Sequence, residues 1–249
     1  MFEIQIDNAR YWRDCIEPIV NLIDEGTFNI TKEGIRLRAM DPSNISMVSF
    51  FMPAKAFSKY KVDENENISI NLENLYKILS RARENEALLM KNDSSKMLLE
   101  FIGKTSKRRY KLSLLEESKA IEKEPNVEFT ANIEISSDSL KDIIKDASMI
   151  SQYISFKASK DQFSINAKGD SGELEEIHEL DGNVLRKLEA KEVAEATYNL
   201  EFLESMVKSC PSNSFISIYL KGKEEPIKIY YNIGDAEITY YLAPYYSEE

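Results

Sequence analysis

The side chains that most often perform catalysis are sparse in this chain of 249 residues. Its one histidine, His178, lies in an acidic run, and a lone imidazole forms neither a catalytic triad nor a metal site. The two cysteines, Cys15 and Cys210, are isolated, with no CxxC pair, so we expect both to be reduced thiols. No glycine-rich motif of the GxGxxG or GxxxxGK[ST] type indicates a phosphate-binding loop.

Acidic residues are plentiful, but they occur in runs such as Glu173–Asp181. Runs of this kind are typical of solvated surface, whereas an acid–base pair needs two carboxyl groups in different environments. The sequence therefore predicts a protein that is not an enzyme, with no catalytic residues, cofactor or metal ion. Its function should follow from binding and assembly.

The overall charge is strongly acidic, with 32 Lys and Arg against 43 Asp and Glu and a net charge of −11. A uniformly acidic surface would oppose a partner that carries phosphates. No run of eighteen apolar residues predicts a spanning helix, and the segment Met1–Asp7 carries acids where a signal peptide has a basic and then an apolar run. We expect a soluble intracellular protein that does not bind membranes.

Two halves of the chain resemble each other at an offset of 128 residues. Asn71–Leu75 (NLENL) matches Asn199–Leu203 (NLEFL), and Leu37–Ala39 matches Ile165–Ala167. Between the halves, Glu116–Glu128 is polar, acidic and proline-bearing, which is typical of a linker. Such a repeat predicts two similar domains. We predict domains at 1–116 and 129–249, joined by a connecting loop at 117–128.

Each half has the same predicted order: a strand, a helix, a series of strands, a second helix and three more strands. Alternating apolar residues predict the strands, and apolar residues at helical spacing, such as Leu72, Leu75 and Leu79, predict the helices. The helices are expected at about 9–24, 72–83, 137–151 and 200–210. Many antiparallel strands with four helices make an α+β fold.

Local residues suggest how these helices begin. Asn71, Asn199 and Ser137 are predicted N-caps, because their side-chain oxygens can accept from the first free backbone N–H groups. Pro18 falls inside the first helix and should kink it or shift its start, since proline lacks an N–H.

The predicted helices carry basic residues even though the chain is acidic. A single helix of mixed charge is ordinarily just solvated surface. If the repeat places all four helices on one side of the sheets, however, their cations share one surface, which would suit a polyanion. The basic residues concerned are Arg10, Arg13, Lys77, Arg81, Arg83, Lys141, Lys145 and Lys208.

Two predicted strands have opposite charge. Lys104–Lys111 is basic, whereas Gly172–Leu180 is acidic. Charged edge strands can simply prevent aggregation. Oppositely charged edges can also pair head to tail between copies of a chain and close into a ring.

A turn with the sequence Asp-Pro-Ser-Asn joins two strand-like runs within Ile35–Met52, and the apolar residues Met40 and Ile45 flank it. Such residues can close the core, or they can form a docking surface for a partner. The residues alone leave both alternatives open.

Taken together, these features resemble the archaeal form of proliferating cell nuclear antigen, the sliding clamp family of archaea and eukaryotes. The segments that carry the resemblance are Leu37–Ser43, Phe57–Tyr60, Asn71–Leu79, Lys145–Ser148 and Leu242–Pro244. The resemblance implies a processivity factor, in which three subunits with six similar domains form a ring around double-stranded DNA of any sequence. Helices would line the hole, with sheets outside. It also implies a cytoplasmic, nucleoid-associated protein of DNA replication and repair.

The resemblance also assigns residues to three surfaces. The DNA-facing set would be the eight basic residues named above. A groove for a partner's short motif, made of a glutamine, an aliphatic residue and two aromatics on one helical turn, would comprise Met40, Asn44, Ile45, Ala120, Ile121, Pro226, Tyr241, Ala243, Pro244 and Tyr246. The subunit interface would comprise Arg81, Arg83, Arg108, Arg109, Leu112, Asp138, Asp142, Asp146, Leu174 and Ile177. The partners implied are the clamp loader, DNA polymerase, ligase and flap nuclease.

Several alternatives stay open at this stage. Arg81 and Arg83 appear in both the DNA-facing and the interface sets, and the sequence does not divide them. Asn44 stands where eukaryotic relatives have histidine, which affects partner preference. The chain could also be one subunit of a heterotrimeric clamp, a DNA-modifying enzyme with an acidic metal site, or a regulatory scaffold that does not contact DNA.

Overall fold

The computed structural model describes residues 1–93, 95–116, 121 and 123–246. Within these ranges the helices are α1 (Ala9–Val20), α2 (Leu72–Leu79), α3 (Ser137–Ser148) and α4 (Leu200–Val207). The strands of the first half are β1 (Phe2–Ile6), β2 (Glu25–Ile30), β3 (Gly34–Met40), β4 (Ser46–Pro53), β5 (Lys59–Val62), β6 (Glu66–Asn71), β7 (Ala87–Asp93), β8 (Lys96–Ile102) and β9 (Lys107–Ser113). Those of the second half are β10 (Ala131–Ser136), β11 (Tyr153–Ala158), β12 (Phe163–Gly169), β13 (Gly172–His178), β14 (Leu185–Ala190), β15 (Ala194–Asn199), β16 (Phe215–Leu220), β17 (Ile227–Ile233) and β18 (Ala236–Leu242).

The described elements of the two halves follow one order: a strand, a helix, five strands, a second helix and three strands. This order confirms the repeat that the sequence predicts. Neighbouring strands of known register are antiparallel, as β7 and β8 are, and as β12 and β13 are. The α+β class with antiparallel sheets is therefore also confirmed.

Two compact units emerge from the contacts. The first unit comprises Met1–Pro42, Val48–Glu124 and Asn232–Ile238. The second comprises Ser43–Met47, Pro125–Tyr231 and Thr239–Glu249. In the first unit α1 packs against α2, and in the second α3 packs against α4.

Each unit contains one sheet that ends in a charged edge strand. The first unit has the order β5-β1-β7-β8-β9, and the second has β13-β12-β11-β15. The basic strand β9 and the acidic strand β13 are thus each outermost among the described strands of their sheet. The first unit also contains the run β6-β2-β3, and the second the run β14-β10-β16. In the same sheet β16 is followed by β17 and β18.

Aromatic side chains fill the cores. In the first unit the ring of Trp12, which is 1% exposed, lies 5.8 Å from that of Phe57 and 6.1 Å from that of Phe50. In the second unit Phe156 packs against Phe163 and Tyr198. Burial of such large rings supplies much of the hydrophobic stabilisation of a domain.

The predicted N-caps are confirmed at two helices and wrong at a third. The side chain of Asn71 accepts from the Asn74 N–H, and that of Asn199 accepts from the Glu201 N–H. At α3 the cap is Ser136, whose hydroxyl accepts from the Ser139 N–H. Ser137 is instead the first helical residue, and its hydroxyl donates to the Pro211 carbonyl at 2.8 Å.

The helices end earlier than the sequence spacing predicts. After α2, the N–H of Arg81 donates to the Ile78 carbonyl and that of Ala82 to the Leu79 carbonyl, so the chain closes in tighter i to i−3 turns. Arg81 and Arg83 therefore lie beyond the helix rather than on it, and Lys208 is the C-cap of α4. Pro18 lies in the last turn of α1, which starts at Ala9, so the start of that helix is not displaced.

Candidate functional site

Groups that could perform catalysis do not assemble in the described part of the chain. No set of three or more His, Cys, Asp or Glu residues in those ranges could hold a metal ion. Cys15 is buried, and desolvation raises the pKa of its thiol to about 12, so it is a protonated, unreactive thiol at neutral pH. His178 lies on β13 with its Nε2 3.0 Å from a carboxylate oxygen of Glu176.

None of the described helices has the length and apolar character needed to cross a membrane.

Three of the predicted DNA-facing residues lie on the helix pair of the first unit. Lys77 is 68% exposed and forms an i, i+4 pair with Glu73 at 2.9 Å. Arg13 pairs with the neighbouring Asp14 at 2.6 Å. Arg10 is exposed and donates from Nε to the Ala82 carbonyl, which ties α1 to the turn after α2.

The second unit presents an equivalent set. Lys145 is 67% exposed and pairs with Asp142 at 3.1 Å. Lys141 donates to the Cys210 carbonyl, and Lys208 is exposed at the end of α4. Exposed ion pairs contribute only about 0–1 kcal/mol, so Lys145 and Lys77 can exchange their carboxylate partners for phosphates at little cost.

The turn after α2 is held from within its own unit. Glu86, which is almost fully buried, accepts from the Arg83 backbone N–H at 2.8 Å and from the guanidinium of Arg108. Arg108 also donates to the Arg81 carbonyl at 3.1 Å. The side chains of Arg81 and Arg83 form no ion pair with any residue in the described ranges.

The basic edge strand β9 is partly neutralised by its neighbour β8. Arg109 donates to the buried carboxylate of Glu100. The Nζ of Lys107 lies 3.6 Å from an oxygen of the same carboxylate. Burial opposes ionisation of Glu100, but the hydrogen bond from Arg109 is the larger effect and lowers its pKa. Leu112 is half-buried on the same strand.

On the acidic edge strand β13, the predicted interface residues Leu174 and Ile177 lie on opposite faces, since they are three residues apart in a strand. Ile177 is 50% exposed, an unusual exposure for isoleucine.

The three acidic residues of α3 differ in their hydrogen bonds, ion pairs and exposure. Asp138 accepts from the Asn213 backbone N–H at 2.8 Å, and this hydrogen bond lowers the pKa of its carboxyl. Asp142 is exposed and pairs with Lys145, and Asp146 is exposed. Of the three acids on α3, Asp142 and Asp146 are therefore more accessible to another chain than Asp138 is.

Part of the predicted peptide groove lies in the second unit. Asn44 adopts a left-handed backbone with φ of 58°, and the next residue, Ile45, is 39% exposed. The Ile45 carbonyl accepts from the Ala243 N–H at 2.9 Å. Tyr241 is buried at 5% exposure, whereas Pro226 and Pro244 are half-buried and Tyr246 is 57% exposed.

A contact that sequence reasoning missed holds the segment after β18. The ring of Tyr245 stacks on that of Tyr153, with centroids 3.8 Å apart and an interplanar angle of 22°. The Tyr245 N–H donates to the Thr197 carbonyl at 2.8 Å. No local pattern predicts this stack, because its two tyrosines are distant in sequence.

The remaining groove residues belong to the first unit. Met40 is 39% exposed and Ile121 is half-buried, whereas Ala120 lies outside the described residues. Met40 borders an open, acidic cavity of about 490 Å³. The other lining residues are Ile23, Asp24, Glu25, Pro42, Asn71 and Glu73.

Known proteins resemble the chain in both halves. The family model for the N-terminal domain of proliferating cell nuclear antigen matches residues 1–124, and the model for its C-terminal domain matches residues 123–245. A DNA polymerase sliding clamp from Thermococcus gammatolerans is 36% identical over 245 residues, which cover 98% of each chain.

Solved structures show the same fold. The structure of proliferating cell nuclear antigen from Thermococcus kodakaraensis matches with a TM-score of 0.92 and 27% identity, covering 98% of this chain and 100% of that one. The A. fulgidus protein, solved with the C-terminal region of FEN-1 bound, matches with a TM-score of 0.88 at 24% identity and full coverage of both chains.

Proposed function

This chain belongs to the proliferating cell nuclear antigen family of DNA polymerase sliding clamps, and on that premise we propose that three copies close into a ring around double-stranded DNA. The observation that carries the proposal is the element order repeated in both halves, each half matching one domain of the family. We also retain the division into domains at 1–116 and 129–249 with a connecting loop at 117–128. The boundary between the two family matches, at 123–124, supports it.

The DNA-facing surface would be formed by Arg10, Arg13, Lys77, Arg81, Arg83, Lys141, Lys145 and Lys208. The exposure of Lys77 and Lys145 and their weak ion pairs support this role. Contacts between such cations and phosphates give an affinity that falls with salt and carries no base information. The contacts between the ring and DNA can be weak, because a closed ring that encloses the duplex cannot dissociate while it slides.

The subunit contact would join the basic edge strand β9 of one copy to the acidic edge strand β13 of the next. Unpaired strand edges offer backbone groups that a second strand can satisfy. The exposed side chain of Ile177 and the accessible carboxylates of Asp142 and Asp146 support this arrangement. Arg81 and Arg83, which lack ion pairs in the described ranges, are available as their partners.

Polymerase, ligase, flap nuclease and the clamp loader would dock through a short motif in the groove formed around Met40, Ile45, Tyr241 and Pro244. The exposed apolar surface of Met40 and Ile45 supports this use. The A. fulgidus relative, which carries the C-terminal region of FEN-1, provides a precedent for partner binding. A tethered enzyme rebinds the template before it diffuses away, because its effective concentration there is high.

The purified protein tests this proposal directly. We expect light scattering to give three chain masses at several salt concentrations, and we expect a loaded ring to stay on nicked circular plasmid and to leave when the plasmid is linearised. A monomer that trimerises only with other subunits would instead support the heterotrimeric alternative. Failure to be retained on circular DNA after loading would support the scaffold alternative.

We further propose that the chain has no catalytic activity and acts in the cytoplasm at the nucleoid. Incubation with DNA and Mg²⁺ should leave the DNA unchanged. Magnesium-dependent turnover by the purified chain would contradict this and would support the DNA-modifying alternative.

A further inference from the structure

A lysine lies between two aromatic rings on the second unit. Lys228, on β17, has its Nζ 5.3 Å from the ring centroid of Tyr219 on β16 and 5.9 Å from that of Tyr241 on β18. The ring of Tyr219 in turn lies 5.8 Å from that of Phe129. We refer to Phe129, Tyr219, Lys228 and Tyr241 as the aromatic–lysine row.

Strand alternation produces this row. Tyr219 is the register partner of Lys228 in the antiparallel pair β16 and β17, so their side chains share one face. The adjacent residues Ile218 and Ile229 are also register partners, and both are fully buried on the opposite face. The row therefore belongs to the outer face of this part of the sheet, and its position is fixed by a well-packed core.

The ammonium of Lys228 is not neutralised within the described chain. It forms no ion pair with any residue of those ranges, whereas some other half-buried lysines of the same unit are paired. Lys221 lies 3.0 Å from Glu225, and Lys157 lies 3.1 Å from Glu195. Lys141, which is also half-buried and without an ion pair in those ranges, donates instead to the Cys210 carbonyl. Lys228 differs because its ammonium lies against aromatic rings.

The two rings attract the ammonium and restrict its position. Cation–π attraction orients the ammonium, and the aromatic faces displace part of its hydration. A partly desolvated cation of fixed position binds an anion more strongly than a freely moving surface lysine does, because less solvation and side-chain entropy are lost on binding.

We propose that Lys228 binds a carboxylate of the partner peptide and so selects partners with an acidic group beside the docking motif. This inference rests on the proposed function, because Tyr241 belongs both to the aromatic–lysine row and to the proposed groove. The carboxylate is either an acidic side chain next to the motif or the free C-terminus of the peptide. Tyr241 is thus the residue through which the aromatic–lysine row meets the groove residues of the second unit.

The test uses synthetic peptides that carry a glutamine, an aliphatic residue and two aromatics on one helical turn. One pair of peptides differs by Glu or Gln next to the motif, and a second pair differs by a free or amidated C-terminus. Dissociation constants are measured by calorimetry with the full chain, its Lys228→Met variant and the control Lys157→Met, whose lysine is already paired. Thermal melting checks that each variant is folded.

We expect Lys228→Met to weaken binding of one carboxylate-bearing peptide about three- to tenfold, with little effect on its neutral counterpart. The pair that shows this difference identifies the source of the carboxylate. Lys157→Met should leave all four affinities unchanged. The wild-type preference for the acidic peptide should also shrink as salt rises.

Equal effects of Lys228→Met on acidic and neutral peptides, or no effect on any, would overturn the inference while leaving the groove in place. A variant that loses retention on circular DNA but keeps all peptide affinities would assign Lys228 to phosphate contacts instead, which also overturns it. If no motif peptide binds the wild-type chain, the groove of the proposed function fails, and this inference fails with it.

Discussion

Arg108 and Glu86 form an ion pair that is largely removed from solvent, with side chains 21% and 5% exposed. The guanidinium of Arg108 also lies 4.9 Å above the centre of the Phe101 ring. Glu86 uses the same carboxylate to accept from the Arg83 backbone N–H. This pair therefore holds the turn that carries Arg81 and Arg83. The positive charge of Arg108 is neutralised by a carboxylate of the same chain.

Arg108→Ala should lower the free energy of unfolding by about 3 kcal/mol, because it leaves the buried carboxylate of Glu86 without its cation. Urea denaturation at one protein concentration measures this loss. Lys104→Ala is the control, since its exposed side chain forms no ion pair in the described ranges, and it should stay within about 0.5 kcal/mol of wild type. Equal stability of the two variants would show that the pair is not structural.

Gly234→Ala should be strongly destabilising. Gly234 has a left-handed backbone with φ of 57°, and a Cβ there would lie 2.6 Å from the Tyr11 hydroxyl oxygen. That hydroxyl cannot easily move, because it donates to the Ile233 carbonyl and accepts from the Asp235 N–H. We expect a loss of about 2–4 kcal/mol from backbone strain and overpacking together, measured by thermal and urea unfolding.

Gly182→Ala separates these two causes. Gly182 also has a positive φ, of 79°, but a Cβ there meets no atom within 4 Å. Its substitution should therefore cost only the backbone term, about 1 kcal/mol. If Gly182→Ala is as damaging as Gly234→Ala, the contact with Tyr11 contributes nothing.

Stability should fall as the solution is acidified below pH 4.5. Hydrogen bonds from Lys59 and then Lys91 lower the pKa of Glu3 from 4.5 to about 2. A carboxyl whose pKa is depressed in the folded state stabilises the protein above its unfolded pKa, and this contribution is lost as the pH falls towards the folded value. The melting temperature of Glu3→Gln should therefore change less than that of wild type between pH 5 and pH 2.5. Glu237→Gln, an exposed residue without an ion pair in the described ranges, should follow the wild-type curve.

Local chemistry explains which parts of the fold could be predicted. The caps at Asn71 and Asn199 depend only on an asparagine side chain and on backbone N–H groups two or three residues later. Such local contacts can be predicted from the sequence. At α3 two serines are adjacent, and the sequence does not show which one has the extended backbone of a cap. The end of α2 was missed because Arg81 and Arg83 continue the helical spacing of polar residues while the backbone already turns.

Contacts between distant segments explain most of what the sequence could not predict at the candidate site. The resemblance assigns Arg108 to the subunit interface, and this stays a prediction. The ion pair of Arg108 with Glu86 depends on how β9 packs beside the turn after α2, which no local pattern shows. Lys228 occupies an ordinary outward position of an alternating strand. Its significance comes from Tyr219 and Tyr241, which the sheet order brings to either side of it.

Removal of three helix cations should impair the clamp without unfolding it. The triple variant Arg13→Ala, Lys77→Ala and Lys145→Ala deletes only exposed or half-exposed ion pairs, so we expect less than about 1 kcal/mol of destabilisation per site. Loading on nicked plasmid and processive extension by the polymerase should both fall, most clearly at high salt.

A matched triple variant at Lys157, Lys168 and Lys187 removes the same charge from strands and their ends, where each lysine is also in an ion pair. It should extend DNA as the wild type does. Unchanged processivity in the helix variant, or an equal loss in both, would argue against the assignment of these helices to DNA.

Tyr153→Ala should weaken binding of the motif peptide, because the stack of Tyr245 on Tyr153 holds the segment Ala243–Tyr246 in place. An aromatic pair contributes about 0.5–1.5 kcal/mol, so we expect affinity to fall about two- to tenfold in calorimetry. The Tyr245 N–H, bonded to the Thr197 carbonyl, should exchange faster with deuterium. Tyr153→Phe keeps the ring and should restore both affinity and protection. Faster exchange with unchanged affinity would show that the peptide does not depend on this segment, whereas a large drop in melting temperature would assign the stack to the stability of the unit.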